Sequence, residues 1–140
     1  MRALKLFTIA VADSLVAKFQ RMDTEGSFEC FANSPDWGMV NADGSKLNFQ
    51  EAKKQWLNSP SILTDWKWTT IRRDFKILTK NIVICDWDAK IEVAMKTGDK
   101  ITYDPDAYTM IFKKIKGQWR IIHTNESGIP VMQKPENVAK

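Results

Sequence analysis

Residues 117–128, GQWRIIHTNESG, are the stretch that decides how this chain is expected to fold. A turn at Gly117 leads into a strand that opens with Trp119 and ends in a His-x-Asn-Glu-Ser-Gly cluster. Just upstream, residues 108–115, YTMIFKKI, have the pattern of a second strand that runs into the same turn. Two strand patterns joined by a glycine-containing turn predict a β-hairpin near the end of the chain.

Three helices are predicted before the strands. Apolar residues recur at helical spacing over residues 3–21, at Leu4, Phe7, Val11, Leu15, Phe19 and Met22. Asp23 or Thr24 can cap a shorter second helix, and Asn48 precedes a third helix over residues 49–57. Alternating segments then predict four strands, over residues 66–78, 82–95, 101–112 and 119–126. Helices followed by a run of strands predict an α+β fold.

The order of these elements resembles the nuclear transport factor 2-like superfamily, in its SnoaL-like branch. The resemblance rests on Asp23 after the first helix, on the Asp43-Gly44 turn before the third, and on the terminal hairpin. The hairpin is also similar to that of the calcium/calmodulin-dependent protein kinase II association domain, which ends in a Gly-Lys-Trp turn and a His-x-His-x-Ser-Gly strand. The resemblance implies a cone, in which three N-terminal helices pack on a curved antiparallel or mixed sheet. Residues 1–128 would form this single domain, and residues 129–140 a C-terminal tail.

Composition narrows the class of protein. The chain has 140 residues, a net charge of +4 and 44% hydrophobic residues, which suits one domain with a substantial core. Its basic residues are scattered, which favours a solvated surface and gives no nucleic-acid-binding stripe. No segment is long enough to span a membrane. Lys5 interrupts the apolar N-terminal run, so a cytoplasmic location is favoured and export is the alternative.

Two cysteines and a single histidine limit the redox and metal chemistry that can be expected. Cys30 and Cys85 lie in apolar patterns and are predicted to be buried free thiols that are not bonded to each other. His123 has no second His or Cys near it in sequence, so no metal site is predicted, and no cofactor is indicated. His123 is expected to make a structural or dimer contact beside Trp119.

Strand alternation sorts the last strand into two faces. Ile122, Thr124 and Glu126 share one face with Arg120, and the other face carries Trp119, Ile121, His123 and Asn125. The resemblance implies that the concave face of the sheet lines a pocket. Aligned on the glycine turn, Thr124 falls where SnoaL-type polyketide cyclases have their catalytic Asp. The face of Ile122, Thr124 and Glu126 is therefore predicted to be the pocket face.

The resemblance also implies where the ketosteroid isomerases carry their functional groups. Met110 falls near the position of a pocket Asp, and Leu15 falls at the position of a catalytic Tyr. Thr, Met and Leu cannot abstract a proton or donate to an oxyanion as Asp and Tyr do. The chain therefore departs from both enzyme patterns, and the sequence leaves open whether it is an enzyme.

A mainly apolar pocket is predicted between the third helix and the sheet. Its expected lining is Trp56, Tyr108, Met110, Ile122 and Thr124, with Glu126 near the mouth. Such a lining suits a small hydrophobic or aromatic molecule oriented by one or two polar groups. Glu126 is the candidate proton-transfer residue, with the alternative that it lies exposed at the strand end or pairs with a nearby Lys. Asp86 and Asp88 are expected to point away from the core, because Trp87 between them belongs to the apolar face. The alternative is that a bulge reverses the faces, which would make Asp86 a pocket acid.

Two classes of function follow from this interpretation. The first is a SnoaL-like protein that binds a small molecule, with or without weak lyase or isomerase activity through Glu126. The second is a non-enzymatic association domain. A homodimer through the convex sheet face is predicted in either case. The apolar residues of the strands are too many for three helices to shield, so a second subunit is expected to cover part of them. These residues are Cys85, Trp87, Ile91, Val93, Ile111, Trp119 and Ile121.

Overall fold

The computed structural model describes residues 2–135. Three helices precede the four long strands, as the sequence predicts, and two short strands lie between the second helix and the third. Helix α1 spans Arg2–Gln20, α2 spans Thr24–Ser27 and α3 spans Phe49–Leu57. Two short 3-10 turns follow α2 and α3, at Phe28–Cys30 and Ser59–Ser61. Among residues 2–135, no helix is both long enough and apolar enough to cross a lipid bilayer.

Side-chain caps fix where the shorter helices begin. The Asp23 carboxylate accepts a hydrogen bond from the Gly26 backbone N–H at 2.9 Å, so Asp23 rather than Thr24 is the cap of α2. At α3 the Asn48 side chain accepts from the Glu51 N–H at 2.9 Å, and the Glu51 carboxylate accepts from the Asn48 N–H at 3.2 Å. This reciprocal capping box satisfies two backbone donors that a helix start leaves unpaired.

Within the described residues, seven strands form one curved mixed sheet. They are β1 Gly38–Val40, β2 Lys46–Leu47, β3 Leu63–Thr79, β4 Ile82–Met95, β5 Lys100–Ile115, β6 Gln118–Ser127 and β7 Pro130–Gln133. The order in the sheet is β2-β1-β6-β5-β4-β3. Strands β1 and β6 are parallel, and the other pairs are antiparallel. The three helices on a mixed sheet confirm the predicted α+β cone.

Strand β5 is shared by two partners along its length. Its second half, from Ala107 to Ile115, pairs with β6, and its first half, from Lys100 to Tyr103, pairs with β7. The segment predicted to be a tail therefore contains a strand that the sequence interpretation missed. That strand is short and fully exposed, so it lacks the alternation that marks a half-buried strand. Residues 136–140 of the predicted tail lie outside the described residues.

The inner face of the sheet packs on the helices and forms the core. Alternate residues of β4 are buried there, namely Val83, Cys85, Trp87, Ala89, Ile91 and Val93. Trp119 and Ile121 of β6 are buried in the same core. The argument for a dimer from unshielded apolar side chains is therefore wrong for these residues, because the helices already cover them. The dimer itself stays a prediction.

A β-bulge in β6 explains why Trp119 and Ile121 were assigned to the other face. Ile111 pairs with His123 and the next residue, Phe112, pairs with Ile121, which leaves Ile122 as an extra residue. Successive residues of a strand face opposite sides of the sheet. If alternation is counted across an extra residue, every residue on one side of it is therefore placed on the wrong face. Trp119 and Ile121 consequently share the inner face with Thr124 and Glu126, rather than lying beside His123.

The outer face of the sheet carries the charged side chains of β4. Asp86 lies 3.5 Å from the Lys76 amine and accepts a hydrogen bond from the Thr109 hydroxyl at 3.3 Å. Asp88 lies 3.5 Å from Arg72. Both aspartates thus point away from the core, as their spacing around Trp87 predicts.

Candidate functional site

A cavity of about 720 Å³ opens between α3, the loop that joins β1 to β2, and the inner face of the sheet. Its walls are mainly apolar, with Trp56, Trp66, Ile91, Val93 and Ile101 among them. The polar lining residues come from separate strands and loops, and include Asp43, Ser45, Tyr103, Asp106, Tyr108, Thr124 and Glu126. A concave, mostly apolar space with a few convergent polar groups is the usual form of a small-molecule site.

The structure brings four of the six residues predicted for the pocket to the cavity wall. These are Trp56, Tyr108, Thr124 and Glu126. Met110 and Ile122 do not line it, and their placement is a correction. Met110 is on the inner face but is buried in the core at 2% exposure, paired with Cys85 and Thr124. Ile122 is the extra residue of the β6 bulge, which breaks the alternation on which its assignment depended.

A hydroxyl group bridges two carboxyl groups on the buried side of the cavity. The Tyr108 hydroxyl lies 2.5 Å from Glu126 Oε2 and 2.9 Å from Asp106 Oδ2. The second oxygen of Glu126 accepts a hydrogen bond from the Ala42 backbone N–H at 3.2 Å. Glu126 is therefore held from two sides, and its partners are Tyr108 and Ala42 rather than a lysine.

Asp106 is the most buried charged residue of the site. Its side chain is 0% exposed, and within residues 2–135 its Oδ1 atom has no hydrogen-bond partner. Burial first, and then the hydrogen bond and the charge of Glu126, together raise the pKa of Asp106 to about 8, against the lowering effect of the hydrogen bond with Tyr108. Asp106 is therefore mainly protonated at neutral pH.

The count of protons in this cluster agrees with that assignment. Tyr108 has a single hydroxyl hydrogen, so it can donate to one carboxyl group and must accept from the other. Burial raises the pKa of Tyr108 well above 10, as do the charges of Glu126 and Asp106, so the phenol keeps its proton. With Tyr108 donating to Glu126, a protonated Asp106 can donate to Tyr108. The cluster thus places a proton donor next to a proton acceptor.

Sequence reasoning missed Asp106, although a signal for it was present. Phe112, Met110 and Tyr108 alternate along the inner face of β5, and the next residue in that series is Asp106. Asp106 indeed lies opposite the buried Ala89. Pro105 precedes it at a register shift, where β5 changes which of its residues face inward. A proline inside a strand pattern is a known sign of a bulge.

Aromatic rings form two groups around the cavity. Trp56 and Trp66 lie 4.8 Å apart between ring centroids, and Phe19 packs on both from α1. On the sheet, Trp68 stacks on the Tyr108 ring at 5.0 Å, which holds the phenol in place beneath the carboxyl pair. Within the described residues, Trp66 Nε1 and Thr124 Oγ1 are buried without a hydrogen-bond partner.

A second carboxylate region lies at the rim. The Ser45 hydroxyl and backbone N–H donate to Asp43 Oδ1 at 2.6 and 2.9 Å, and they hold the pKa of Asp43 below its usual value. On the opposite wall the pKa of Tyr103 is raised by burial, and then by the charges of Glu126, Asp106 and Asp43. Among residues 2–135 no group of three His, Cys, Asp or Glu side chains could hold a metal ion.

Comparison with known proteins supports the fold. A structure of a nuclear transport factor 2-like superfamily protein from Salmonella enterica serovar Typhimurium is 12% identical and has a TM-score of 0.80, with 99% of this chain and 95% of that chain covered. A hexachlorocyclohexane dehydrochlorinase from Novosphingobium barchaimii is 10% identical with a TM-score of 0.78, over 99% of this chain and 95% of that one. No protein-family model and no curated protein matches the sequence.

The similarity of the terminal hairpin to association domains also has a structural counterpart. A protein from Xanthomonas campestris, assigned as a calcium/calmodulin-dependent protein kinase II association domain, is 16% identical with a TM-score of 0.72, over 87% of this chain and 85% of that chain. The chain therefore shares the α+β cone fold of these three proteins. One scaffold here serves several functions, so the function has to come from the site.

Proposed function

We propose that this protein binds a small, mainly apolar molecule in the cone cavity and transfers a proton to or from it. The observation that supports this most directly is the Tyr108 hydroxyl between Asp106 and Glu126, at the buried side of an otherwise apolar cavity. A structural role alone would not require two carboxyl groups to be brought together in an apolar site. Desolvating such a pair lowers the stability of the fold. Proteins usually keep an arrangement of this kind only at functional sites.

The proposed roles follow from the donors and acceptors in the cluster. Asp106 is the proton donor, because its raised pKa keeps it protonated near neutral pH. Glu126 is the proton acceptor, oriented by the Ala42 N–H and by Tyr108. Tyr108 couples the two carboxyl groups, because it accepts a hydrogen bond from Asp106 and donates its single hydroxyl hydrogen to Glu126. Two carboxyl groups in different protonation states are a common arrangement for acid–base chemistry.

This arrangement suits a lyase or an isomerase reaction. An isomerase of this kind removes a proton from carbon and returns a proton to another atom of the same molecule. An eliminating lyase removes a proton from carbon while the leaving group departs with its electron pair, and a hydroxyl leaving group takes a proton from the acid. Neither reaction requires a nucleophile from the protein. The dehydrochlorinase with the same fold is, by its name, an enzyme of elimination. The aligned positions Met110 and Thr124 cannot supply an acid or a base. Asp106, four residues before Met110 on β5, offers that group from a different position.

Binding can be tested with a panel of aromatic and polyketide-like ligands, by thermal shift and by tryptophan fluorescence. Ligands that enter the cavity should raise the melting temperature and change the emission of Trp56 and Trp66, which line it. If every member of the panel leaves both signals unchanged, ligand binding is rejected and an association role is favoured.

Proton transfer can be tested without knowing the natural substrate. We expect the protein to exchange the acidic C–H hydrogens of an uncharged bicyclic ketone such as 1-tetralone with deuterium from solvent, faster than buffer does. Glu126→Gln should abolish this exchange while leaving the affinity for an uncharged ligand nearly intact. The matched control is Asp86→Asn on the outer face, which should exchange as the unmodified protein does. Exchange at the buffer rate for every ligand that binds would reject the catalytic part of the proposal.

Self-association as a homodimer is a separate proposal, supported by the fold shared with the association-domain protein. Static light scattering at micromolar concentration should give twice the chain mass of 16.1 kDa. A monomer would reject the proposal. An assembly larger than a dimer would favour the association role over catalysis.

A further inference from the structure

The charged residues that line the cavity are all acidic. Asp43, Asp106 and Glu126 contribute carboxyl groups, and among the described lining residues there is no Lys, Arg or His. The whole chain has 21 Lys and Arg against 17 Asp and Glu, so an acidic lining does not simply follow from the overall composition. The cavity therefore has an electrostatic character opposite to that of the protein as a whole.

We propose, building on the ligand-binding role proposed above, that the molecule accepted by this cavity is a lipophilic cation. By this we mean an aromatic or alicyclic body that carries a protonated amine or a quaternary ammonium group. The carboxyl groups would attract the charge, and the apolar walls would take the body.

The aromatic residues of the wall strengthen this assignment. Trp56 and Trp66 lie on one side of the cavity and Tyr103 and Tyr108 line it from the sheet. The faces of aromatic rings carry partial negative charge, and tryptophan attracts a cation best of all. An ammonium group can therefore lie against indole faces while it is close to carboxylates. Aliphatic side chains around them, from Ile91, Val93 and Ile101, suit a hydrophobic body.

The same lining disfavours anionic molecules. A carboxylate, phosphate or sulfate ligand needs cationic side chains or a cluster of N–H donors to replace its hydration. The described lining supplies carboxyl groups instead, and Asp43 at the rim stays ionised because Ser45 donates two hydrogen bonds to it. Anionic ligands, including nucleotides and acyl thioesters of phosphorylated carriers, would meet repulsion at the mouth and along the buried side.

Cation binding should also release a proton. The titratable groups that face Asp106 are Tyr108 and Tyr103 on its own strand and Glu126 on β6. Asp43, in the loop between β1 and β2, acts on Tyr103. A positive charge placed among them favours the ionised form of Asp106, which is mainly protonated at neutral pH. Affinity for a permanently charged cation should therefore rise as pH increases through about 8, the pKa of Asp106.

Three ligands of matched shape separate these possibilities. They are (naphthylmethyl)trimethylammonium, its neutral carbon isostere neopentylnaphthalene, and the anion naphthylacetate. In competition and calorimetric titrations, the cation is expected to bind at least tenfold more tightly than the neutral isostere, and the anion is expected not to bind. At pH 7 the cation should also release a fraction of a proton, seen as a heat that depends on the ionisation enthalpy of the buffer.

Variants and salt test the electrostatic origin of the preference. Asp43→Asn and Glu126→Gln should each weaken cation binding about fivefold and leave the neutral isostere unchanged, whereas Asp86→Asn on the outer face should change neither. If Glu126→Gln does not fold, two other measurements provide the same test. They are the cation affinity of Asp43→Asn, in which only an exposed residue is changed, and the loss of cation affinity of the unmodified protein at high salt. Equal binding of cation and isostere would overturn the inference and leave the binding proposal standing. If none of the three ligands binds or alters tryptophan fluorescence, the proposed function fails as well.

Discussion

Gly128 lies so close to Asp106 that no other residue fits at position 128 without displacing that carboxyl group. A Cβ atom added to Gly128 would lie well inside van der Waals contact with Asp106 Oδ1, and 3.3 Å from the Asp106 Cα. Gly128 is where the chain leaves β6 to pair with the first half of β5 as β7. The crossing of the chain from one half of β5 to the other is therefore what covers the buried carboxyl group.

Gly128→Ala is expected to disturb the site while keeping the fold. The new methyl group would overlap with the Asp106 carboxyl group and also contact the Asp106 Cα atom. Because the backbone of β5 cannot move easily, the carboxyl group must shift from its position beside Tyr108. Overpacking of this kind costs about 1–3 kcal/mol. Chemical denaturation should show that loss of stability, and ligand affinity in the cavity should fall with it.

Gly38→Ala is the matched control for this substitution. Its Cβ would come no closer than 3.4 Å to His123 Nδ1, away from the carboxyl cluster. We expect it to change stability by less than about 1 kcal/mol. If the two variants had equal effects on ligand affinity, the close approach of Gly128 would not be what positions Asp106.

Asp106 should make the protein less stable as pH rises. The pKa of Asp106 is about 8 in the folded state against an ordinary value of 3.8, so the folded state holds a proton that the unfolded state has lost between these values. The contribution of Asp106 to the free energy of unfolding is full below pH 4 and is lost as pH rises to about 8. Asp106→Asn removes this dependence, so its stability relative to that of the unmodified protein should increase from pH 5 to about pH 8 and then level off.

Asp104→Asn provides the comparison, because Asp104 is exposed two residues upstream on the same strand. Its stability profile from pH 5 to pH 9, measured by urea denaturation, should run parallel to that of the unmodified protein. Parallel profiles for the Asp106 variant as well would mean that Asp106 is ionised in the folded state.

Most of the fold could be predicted because it depends on local patterns that the sequence carries without interruption. Strand β4 alternates cleanly from Ile82 to Met95, and its bounds in the structure are those predicted. The starts of α2 and α3 follow from Asp23 and Asn48, whose side chains bond to the first turn of each helix.

The candidate site could be predicted only in part, because two irregularities in the strands change which residues face inward. One is the extra residue Ile122 in β6, and the other precedes Asp106 in β5. Alternation has a period of two, so a single extra residue reverses every assignment on one side of it. Thr124 and Glu126 were placed correctly because no bulge separates them. Alternation through Met110 and Tyr108 does reach Asp106, because the irregularity in β5 lies beyond it. What the local pattern does not show is the pairing of Asp106 with Glu126 around Tyr108, which joins residues 20 positions apart through the register of the hairpin.

Both cysteines should resist thiol reagents in the native protein. Burial raises the pKa of Cys85 to about 12, and that of Cys30 is also raised by burial. Because the thiolate is the reactive form, a raised pKa together with burial slows the reaction with Ellman's reagent. We expect close to zero reactive thiols in buffer and two after denaturation without a reductant. Fewer than two thiols in the denatured protein would indicate a disulfide bond, whereas both are free in the structure.

The neighbouring isoleucines of β6 give a direct test of the bulge. Ile121 is 0% exposed in the core, so Ile121→Ala should cost about 3 kcal/mol, in the range for a buried isoleucine that leaves a cavity. Ile122 is the half-buried extra residue, so Ile122→Ala should cost about 1 kcal/mol or less. The two substitutions remove the same atoms from adjacent positions, and urea denaturation of both variants measures the difference. Without a bulge, alternation from Glu126 and Thr124 would bury Ile122 and expose Ile121. A larger loss of stability for Ile122→Ala than for Ile121→Ala would therefore show that β6 has no bulge. Trp119 and Ile121 would then lie on the outer face of the sheet.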